Sequence, residues 1–194
     1  MATARFIVGV FCILALCGSR MPDRHLLNTE INTIKKKINT IKAETALRQR
    51  IVAIATGELG VREESGKNDG ESVEAYLKSI QLGKGHAWCG AFLSWVYLKA
   101  GLPAPRIGWT PDLFPFRRFT KSPLPGDMFG IYFPVLKRIA HAGMVEKISS
   151  DWVISLEGNT NVKGSREGDG VFRKRRHFRT ISRFANWIKK VEKS

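Results

Sequence analysis

The stretch GHAWCGAFLSWVY at residues 85–97 constrains the fold of this chain more than any other part of it. It places Cys89 before a dense apolar run that Gly101 and Pro103 bring to an end, which predicts a helix over about 88–100. Because nearly every position of the run is apolar, this helix should be buried all round. Free backbone N–H groups and the helix dipole at its start would lower the pKa of Cys89. On this stretch alone, Cys89 is either a nucleophile or a small core residue.

The first residues of the chain have the pattern of an export signal. Arg5 precedes an apolar core over residues 6–16, which is short for a membrane span, and small residues follow it. We therefore expect a signal peptide over 1–19 and an exported protein, in the periplasm, in the cell envelope or outside the cell. The imperfect lipobox at 14–17 makes lipidation of Cys17 one alternative, and a buried N-terminal element is another.

Export would leave Cys89 as the lone cysteine of the mature domain, since Cys12 and Cys17 both lie within residues 1–19. A disulfide framework is then not expected, and a lone cysteine is a candidate nucleophile. The hydrophobic content of 43% is enough for a real core in a chain of 194 residues, which is the length of one domain with an appendage.

The chain has a formal net charge of +15, and its sharpest charge feature is the run RKRRHFR at residues 173–179. Such a run attracts anionic envelope polymers or a membrane surface. It is equally typical of an edge strand, where lysine and arginine discourage pairing with other chains. Nucleic acid is not expected as a partner, because an exported chain rarely meets it.

Residues 20–49 predict an amphipathic helical linker. The pentapeptide INTIK occurs at 31–35 and again at 38–42, which gives an apolar seam with heptad spacing. The seam is typical of a stalk or of a small oligomerisation helix. The other interpretation is an N-terminal helix that folds onto the domain, and no glycine or proline separates it from the next helical pattern. The sequence leaves the oligomeric state open.

Residues 50–190 predict one α+β domain, because helical periodicity comes first and strand periodicity follows. Helices are expected over 48–60, 72–80 and 88–100. Strands are expected over 127–133, 141–148, 152–157 and 171–178, with a last strand or short helix within 179–191. The proline-rich and aromatic stretch 102–126 predicts a wall over a cleft.

A cysteine nucleophile needs a base and a group that orients the base. Among the four histidines, His141 lies among small and apolar neighbours at the start of a predicted strand. Glu157 ends the next strand, so a hairpin would bring the two side chains to the same open end. The period of two residues places Asn159 on the face of Glu157.

These residues together resemble the CHAP family, the cysteine, histidine-dependent amidohydrolases/peptidases. The resemblance covers roughly residues 50–188 and consists of the motifs WCGAF at 88–92, PGD at 125–127, HAGMV at 141–145 and EGN at 157–159. It implies a papain-like α+β fold, a nucleophile at Cys89, a base at His141, an orienting Glu157 and a further polar group at Asn159.

The resemblance also implies the reaction, the cleavage of an amide or peptide bond in peptidoglycan by an amidase or an endopeptidase. It implies no cofactor and no metal. Three alternatives stay open: a non-catalytic peptidoglycan-binding module, a papain-like hydrolase of another amide substrate, and a basic nucleic-acid-binding protein. The polar segments 62–70 and 159–170 go beyond the family core, and we expect both to border the cleft.

Overall fold

The computed structural model describes residues 24–162 and 168–189. The predicted signal peptide over 1–19 and the possible lipid attachment at Cys17 lie outside the described residues. The chain divides into two compact units, 1–42 and 43–194.

The described part of the first unit is helical. It is the first part of helix α1 (Arg24–Gly57), so the patterns predicted over 20–49 and 48–60 form one uninterrupted helix. The heptad seam is visible as a row of exposed apolar side chains, Leu27, Ile31, Ile34, Ile38 and Ile41.

The second unit begins at Ala43, ahead of the boundary expected at residue 50. The residue that explains this start is Arg48, whose Nη1 atom lies 2.9 Å from Oδ1 of Asp127. Both side chains are buried, and the same guanidinium also donates to the carbonyl oxygen of Pro125 at 2.9 Å. The second half of α1 is therefore tied to the turn that precedes the sheet.

Two further helices follow the first one. Helix α2 (Glu71–Lys78) buries Val73, Tyr76 and Leu77. Helix α3 (Cys89–Lys99) starts at the cysteine, as expected, and is buried on nearly all sides. The predicted limits of both helices agree with the structure to within about two residues.

Five antiparallel strands form one sheet: β1 (Met128–Phe133), β2 (Arg138–Ser149), β3 (Trp152–Thr160), β4 (Gly170–His177) and β5 (Arg183–Ala185). Their order in the sheet is β4-β3-β2-β1-β5. Helices come first and strands afterwards, so the α+β class is confirmed. Where a last strand or a short helix was expected within 179–191, the structure has a short 3₁₀ turn, Phe178–Thr180, followed by β5.

The two faces of the sheet differ in what covers them. The larger core packs the helices against Met128, Met144 and Leu156. A smaller cluster of Phe129, Val145 and Val153 lies on the other face, under partly buried residues of the C-terminal segment such as Phe178, Ile181 and Phe184.

A β-bulge interrupts the pairing of β1 with β2. His141 pairs with Ile131, but Tyr132 pairs with Ile139, so Ala140 is the additional residue. Ile139 can therefore face the larger core, although it lies two residues from His141. Bulges commonly redirect side chains beside functional sites.

Candidate active site

Cys89 is the first residue of α3 and its side chain is buried, with 5% of the residue exposed. The backbone N–H groups of Gly90 and Ala142 both donate to the thiol, and His141 forms a side-chain hydrogen bond with it. The first N–H groups of a helix have no partner within the helix. The local sequence thus places the thiol where a negative charge is stabilised.

His141 joins Cys89 to Glu157. Its Nε2 atom lies 2.9 Å from Oε2 of Glu157, and its side chain also hydrogen-bonds Cys89. Because Nε2 is engaged by the carboxylate, Nδ1 is the nitrogen left for the sulfur. The structure therefore brings together three of the four residues that the sequence nominated, in the order Cys89, His141, Glu157.

Glu157 is a fully buried carboxylate to which three side chains are hydrogen-bonded, those of His141, Arg176 and Ser155. Arg176 approaches it with two nitrogens, Nε at 2.8 Å from Oε1 and Nη2 at 2.6 Å from Oε2. The hydroxyl of Ser155 donates to Oε1 at 2.7 Å. A buried charge needs such pairing to remain ionised.

The pKa values of the three groups are shifted in a consistent direction. Burial alone would raise the pKa of Cys89, but the hydrogen bond and charge of His141 outweigh it and lower that pKa below its ordinary value. Burial opposes protonation of His141, yet its bonds to Cys89 and Glu157 raise its pKa to about 9. Burial would also raise the pKa of Glu157, but Arg176 and His141 hold it at about 2. These directions favour a thiolate beside an imidazolium, with an ionised carboxylate behind it.

A glycine makes room for the contact between His141 and Glu157. A Cβ atom at Gly143 would lie 2.7 Å from Cγ of Glu157 and 2.5 Å from Cζ of Phe129. Gly143 is two residues from His141 on β2, so both project to the face where Glu157 lies on β3. The missing side chain leaves the space through which Glu157 reaches the imidazole.

A cleft of about 630 Å³ opens beside the thiol. Cys89 and His141 line it, together with Trp109 from the stretch 102–126, Asn68 from the polar segment 62–70 and Gly168 from the segment 159–170. The expectation that these three segments border a cleft is thus confirmed for the residues named.

Asn159 is the candidate residue that the structure places elsewhere. It has a left-handed backbone with φ of 53°, and the pairing of β3 with β4 shifts between Glu157 and Thr160. The two-residue alternation of strand side chains, which predicted that Asn159 shares a face with Glu157, is interrupted at this irregularity. Its amide nitrogen donates to Oδ1 of Asn68 at 3.1 Å and to the carbonyl oxygen of Gly168 at 3.2 Å. The prediction that Asn159 lies beside Glu157 in the catalytic set is wrong in its geometry, and the residue lines the cleft instead.

The network around Asn159 continues to the start of α3. Glu63 accepts from the indole Nε1 of Trp88 at 2.8 Å and from the backbone N–H of Asn68 at 2.9 Å. Because Trp88 immediately precedes Cys89 and is fully buried, this network fixes one wall of the cleft and the entrance of the helix.

Sequence reasoning missed Arg176, which it treated as one charge in the run 173–179. Part of the signal was available, because a carboxylate at the end of a buried strand needs a cation and the run offers several. Two other arginines of the run also have partners: Arg173 pairs with Glu146 at 2.6 Å, and Arg175 stacks on Trp152.

Within the part of the chain that the structure describes, no cluster of three or more His, Cys, Asp or Glu side chains is arranged as a set of metal ligands. No helix in the ranges 24–162 and 168–189 has both the length and the apolar character needed to cross a membrane.

Comparisons of the chain with protein-family models, with curated proteins and with solved structures find no match.

Proposed function

We propose that this protein is a cysteine hydrolase that cleaves an amide or peptide bond of peptidoglycan. The observation that carries the proposal is the position of His141, which hydrogen-bonds the Cys89 thiol on one side and the buried Glu157 on the other, at the edge of an open cleft. The type of substrate comes from the resemblance to the CHAP family that the motifs around these residues carry.

The chemistry follows from the roles of the three side chains. The Cys89 thiolate attacks the carbonyl carbon of the scissile amide, and backbone N–H groups at the start of α3 stabilise the oxyanion. His141 gives its proton to the leaving amine as the C–N bond breaks. A water molecule, deprotonated by His141, then hydrolyses the thioester and releases the acid product and the free thiol. Glu157 holds the imidazole in place and stabilises its charged form.

An exported location and an anionic partner belong to the same proposal. Peptidoglycan lies outside the cytoplasmic membrane, which fits the signal pattern at 1–19. Arg175 and Arg179 of the basic run are exposed, and they supply positive charge near the envelope. Binding through the run should weaken as salt is added, because exposed charges are screened.

The experiment that tests the proposal is mass spectrometry of fragments released from purified peptidoglycan by the protein expressed without residues 1–19. An amidase would separate intact stem peptides from glycan, whereas an endopeptidase would release shortened peptides or opened cross-links. The Cys89→Ala variant is the control and should release nothing. A wild-type protein that sediments with peptidoglycan but releases no fragment would support the non-catalytic binding module instead.

A further inference from the structure

The cleft beside Cys89 contains a second pair of side chains that the proposed mechanism does not use. The guanidinium carbon of Arg138 lies 4.1 Å from the centroid of the Trp109 ring. Both residues line the cleft together with Cys89 and His141. Trp109 remains 54% exposed, so the pair faces open space.

Within the described part of the chain, Arg138 has no carboxylate partner, in contrast to Arg48 and to Arg176, the other arginine that lines the cleft. Arg48 and Arg176 each pair with a fully buried acid. Among the described residues, no carboxylate lies within ion-pair distance of Arg138, whose Nη1 atom donates at 3.2 Å to the carbonyl oxygen of Ile139. A guanidinium has five N–H donors in a planar fork, so Arg138 retains donors for a ligand.

The charge of the cleft favours an anion. The described residues that line it include no aspartate and no glutamate. Of the two arginines among them, Arg176 is neutralised by Glu157, and Arg138 keeps its charge. A cleft with unpaired positive charge and partly apolar walls concentrates negatively charged groups.

The position of Arg138 on β2 indicates how far its charge lies from the scissile bond of a bound substrate. It begins β2 three residues before His141, and the bulge at Ala140 lets both side chains line the same cleft. Three strand residues span roughly 10 Å. A substrate peptide in an extended conformation covers that distance with about three residues.

We infer that Arg138, held in place by Trp109, is a specificity-determining residue that binds a carboxylate of the substrate within about three residues of the scissile amide. The preferred substrate is thus an acidic peptide rather than a neutral one. The inference rests on the proposed function, since it names the substrate class of the same site. Arg138 binds the substrate and takes no part in bond cleavage.

The test uses two synthetic stem peptides, N-acetyl-L-Ala-γ-D-Glu-L-Lys-D-Ala with the α-carboxylate of the glutamate either free or amidated. The wild-type protein should bind and hydrolyse the acidic peptide in preference to the amidated one. The Arg138→Gln variant should raise KM for the acidic peptide roughly ten- to hundredfold, the cost of one charge-assisted contact, and leave kcat nearly unchanged. The Arg138→Lys variant should restore part of the preference.

Arg183→Gln is the matched control. The guanidinium carbon of Arg183 lies 4.6 Å from the centroid of the Phe119 ring, but Arg183 does not line the cleft, so this variant should keep the preference of the wild type. A wild-type protein that treats both peptides alike would overturn the inference. So would an Arg138→Gln variant that keeps the preference while its circular dichroism spectrum matches the wild type.

A second measurement separates this inference from the proposed function. Calorimetric binding of both peptides to the Cys89→Ala variant, with and without Arg138→Gln, requires no hydrolysis. Tighter binding of the acidic peptide that disappears with Arg138→Gln supports the inference, whether or not the peptides are cleaved. If the wild-type protein cleaves neither peptide, only the proposed hydrolysis is overturned. Equal binding of the two peptides alongside cleavage of peptidoglycan overturns the inference and leaves the proposed function in place.

Discussion

At the scale of single residues, Glu157 is the group on which the site depends. It is a fully buried carboxylate that orients His141 with one oxygen, and Arg176 and Ser155 hold it in its charged form. An ionised Glu157 stabilises the imidazolium, which in turn stabilises the thiolate of Cys89. Arg176 does not contact the thiol, but it influences the pKa of Cys89 through Glu157 and His141.

Removing the charge of Arg176 should destabilise the fold and weaken the site. The Arg176→Gln variant leaves Glu157 buried without a cation of its own, and we expect the free energy of unfolding to fall by about 3 kcal/mol. The control is Arg173→Gln, which breaks the more exposed pair with Glu146 and should cost less than about 1 kcal/mol. Urea denaturation of both variants measures the difference, and equal losses would contradict the role given to Arg176.

The ionisation of Cys89 should be visible in its reactivity. Its pKa lies below the ordinary value and that of His141 is raised to about 9. Alkylation of Cys89 by iodoacetamide should therefore already be fast below the ordinary pKa of a thiol. Hydrolysis should rise with pH through the pKa of Cys89 and fall as pH passes about 9, where His141 loses the proton that the leaving amine needs.

The same alkylation assay has an internal control. The His141→Ala variant removes the partner that lowers the pKa of Cys89, while burial, which raises it, remains. Its alkylation should then begin at a higher pH than that of the wild type. If wild type and variant follow the same pH profile, the pairing of Cys89 with His141 in the structure is not the source of its reactivity.

Residue types and spacing were sufficient to nominate Cys89, His141 and Glu157, because each occupies the end of an element whose period can be read from the sequence. Asn159 and Arg176 were misjudged for one physical reason each. A left-handed residue at a register shift breaks the alternation on which the placement of Asn159 relied. Arg176 lies among other cations, so its pairing depends on the register of β3 and β4, which sequence periodicity does not fix.

At the scale of elements, the site depends on how closely β2 and β3 approach. Gly143 leaves the space that Glu157 occupies, and the bulge at Ala140 allows Ile139 to face the core while Arg138 and His141 line the cleft. The sequence predicted the central part of both strands, but it began β2 three residues late and ended β3 three residues early. The bulge at Ala140 was missed, because it lies ahead of the predicted start of β2 and an extra residue leaves no periodic signal there.

Adding one methyl group at Gly143 tests this packing. The Cβ of Gly143→Ala would lie 2.7 Å from Cγ of Glu157, so the carboxylate must move away from His141. We expect a loss of about 2 kcal/mol in the free energy of unfolding and a clear loss of hydrolysis. Gly83→Ala is the matched control, because a Cβ there meets no atom within 4 Å and the position has no left-handed backbone.

Thermal unfolding and peptidoglycan hydrolysis of the two alanine variants give the answer. If Gly143→Ala is as stable and as active as Gly83→Ala, the close approach of β2 and β3 is not what places Glu157. If it is as stable but inactive, the space at Gly143 serves the site alone.

At the scale of the whole molecule, the compact unit that contains the candidate site includes the second half of α1. The sequence placed the start of the domain at residue 50, whereas the compact unit begins at Ala43. The cause is Arg48, whose buried partner Asp127 is distant in sequence and is found only once the chain is folded. The helical periodicity of the sequence continues across this boundary, so the pattern does not reveal where the unit begins.

Two truncated chains test where the unit begins. A chain of residues 43–194 keeps the ion pair of Arg48 with Asp127 and should unfold at nearly the same temperature as one that begins at residue 20. A chain of residues 50–194 leaves Asp127 buried and unpaired, and should lose about 3 kcal/mol or more in the free energy of unfolding. Equal stability of the two truncated chains would contradict the role given to Arg48.

The central claim is that the Cys89 thiolate, activated by His141 and Glu157, cleaves amide bonds of peptidoglycan. The most direct measurement is the initial rate at which purified peptidoglycan releases new amino groups or free stem peptides, compared between the wild-type protein and Cys89→Ala at equal concentration. We predict release by the wild type and a loss of about 10³-fold or more in the variant, because no other group in the site can replace the nucleophile. A Cys89→Ala variant that retains the wild-type rate would contradict the claim, and so would a folded wild-type protein that releases neither product.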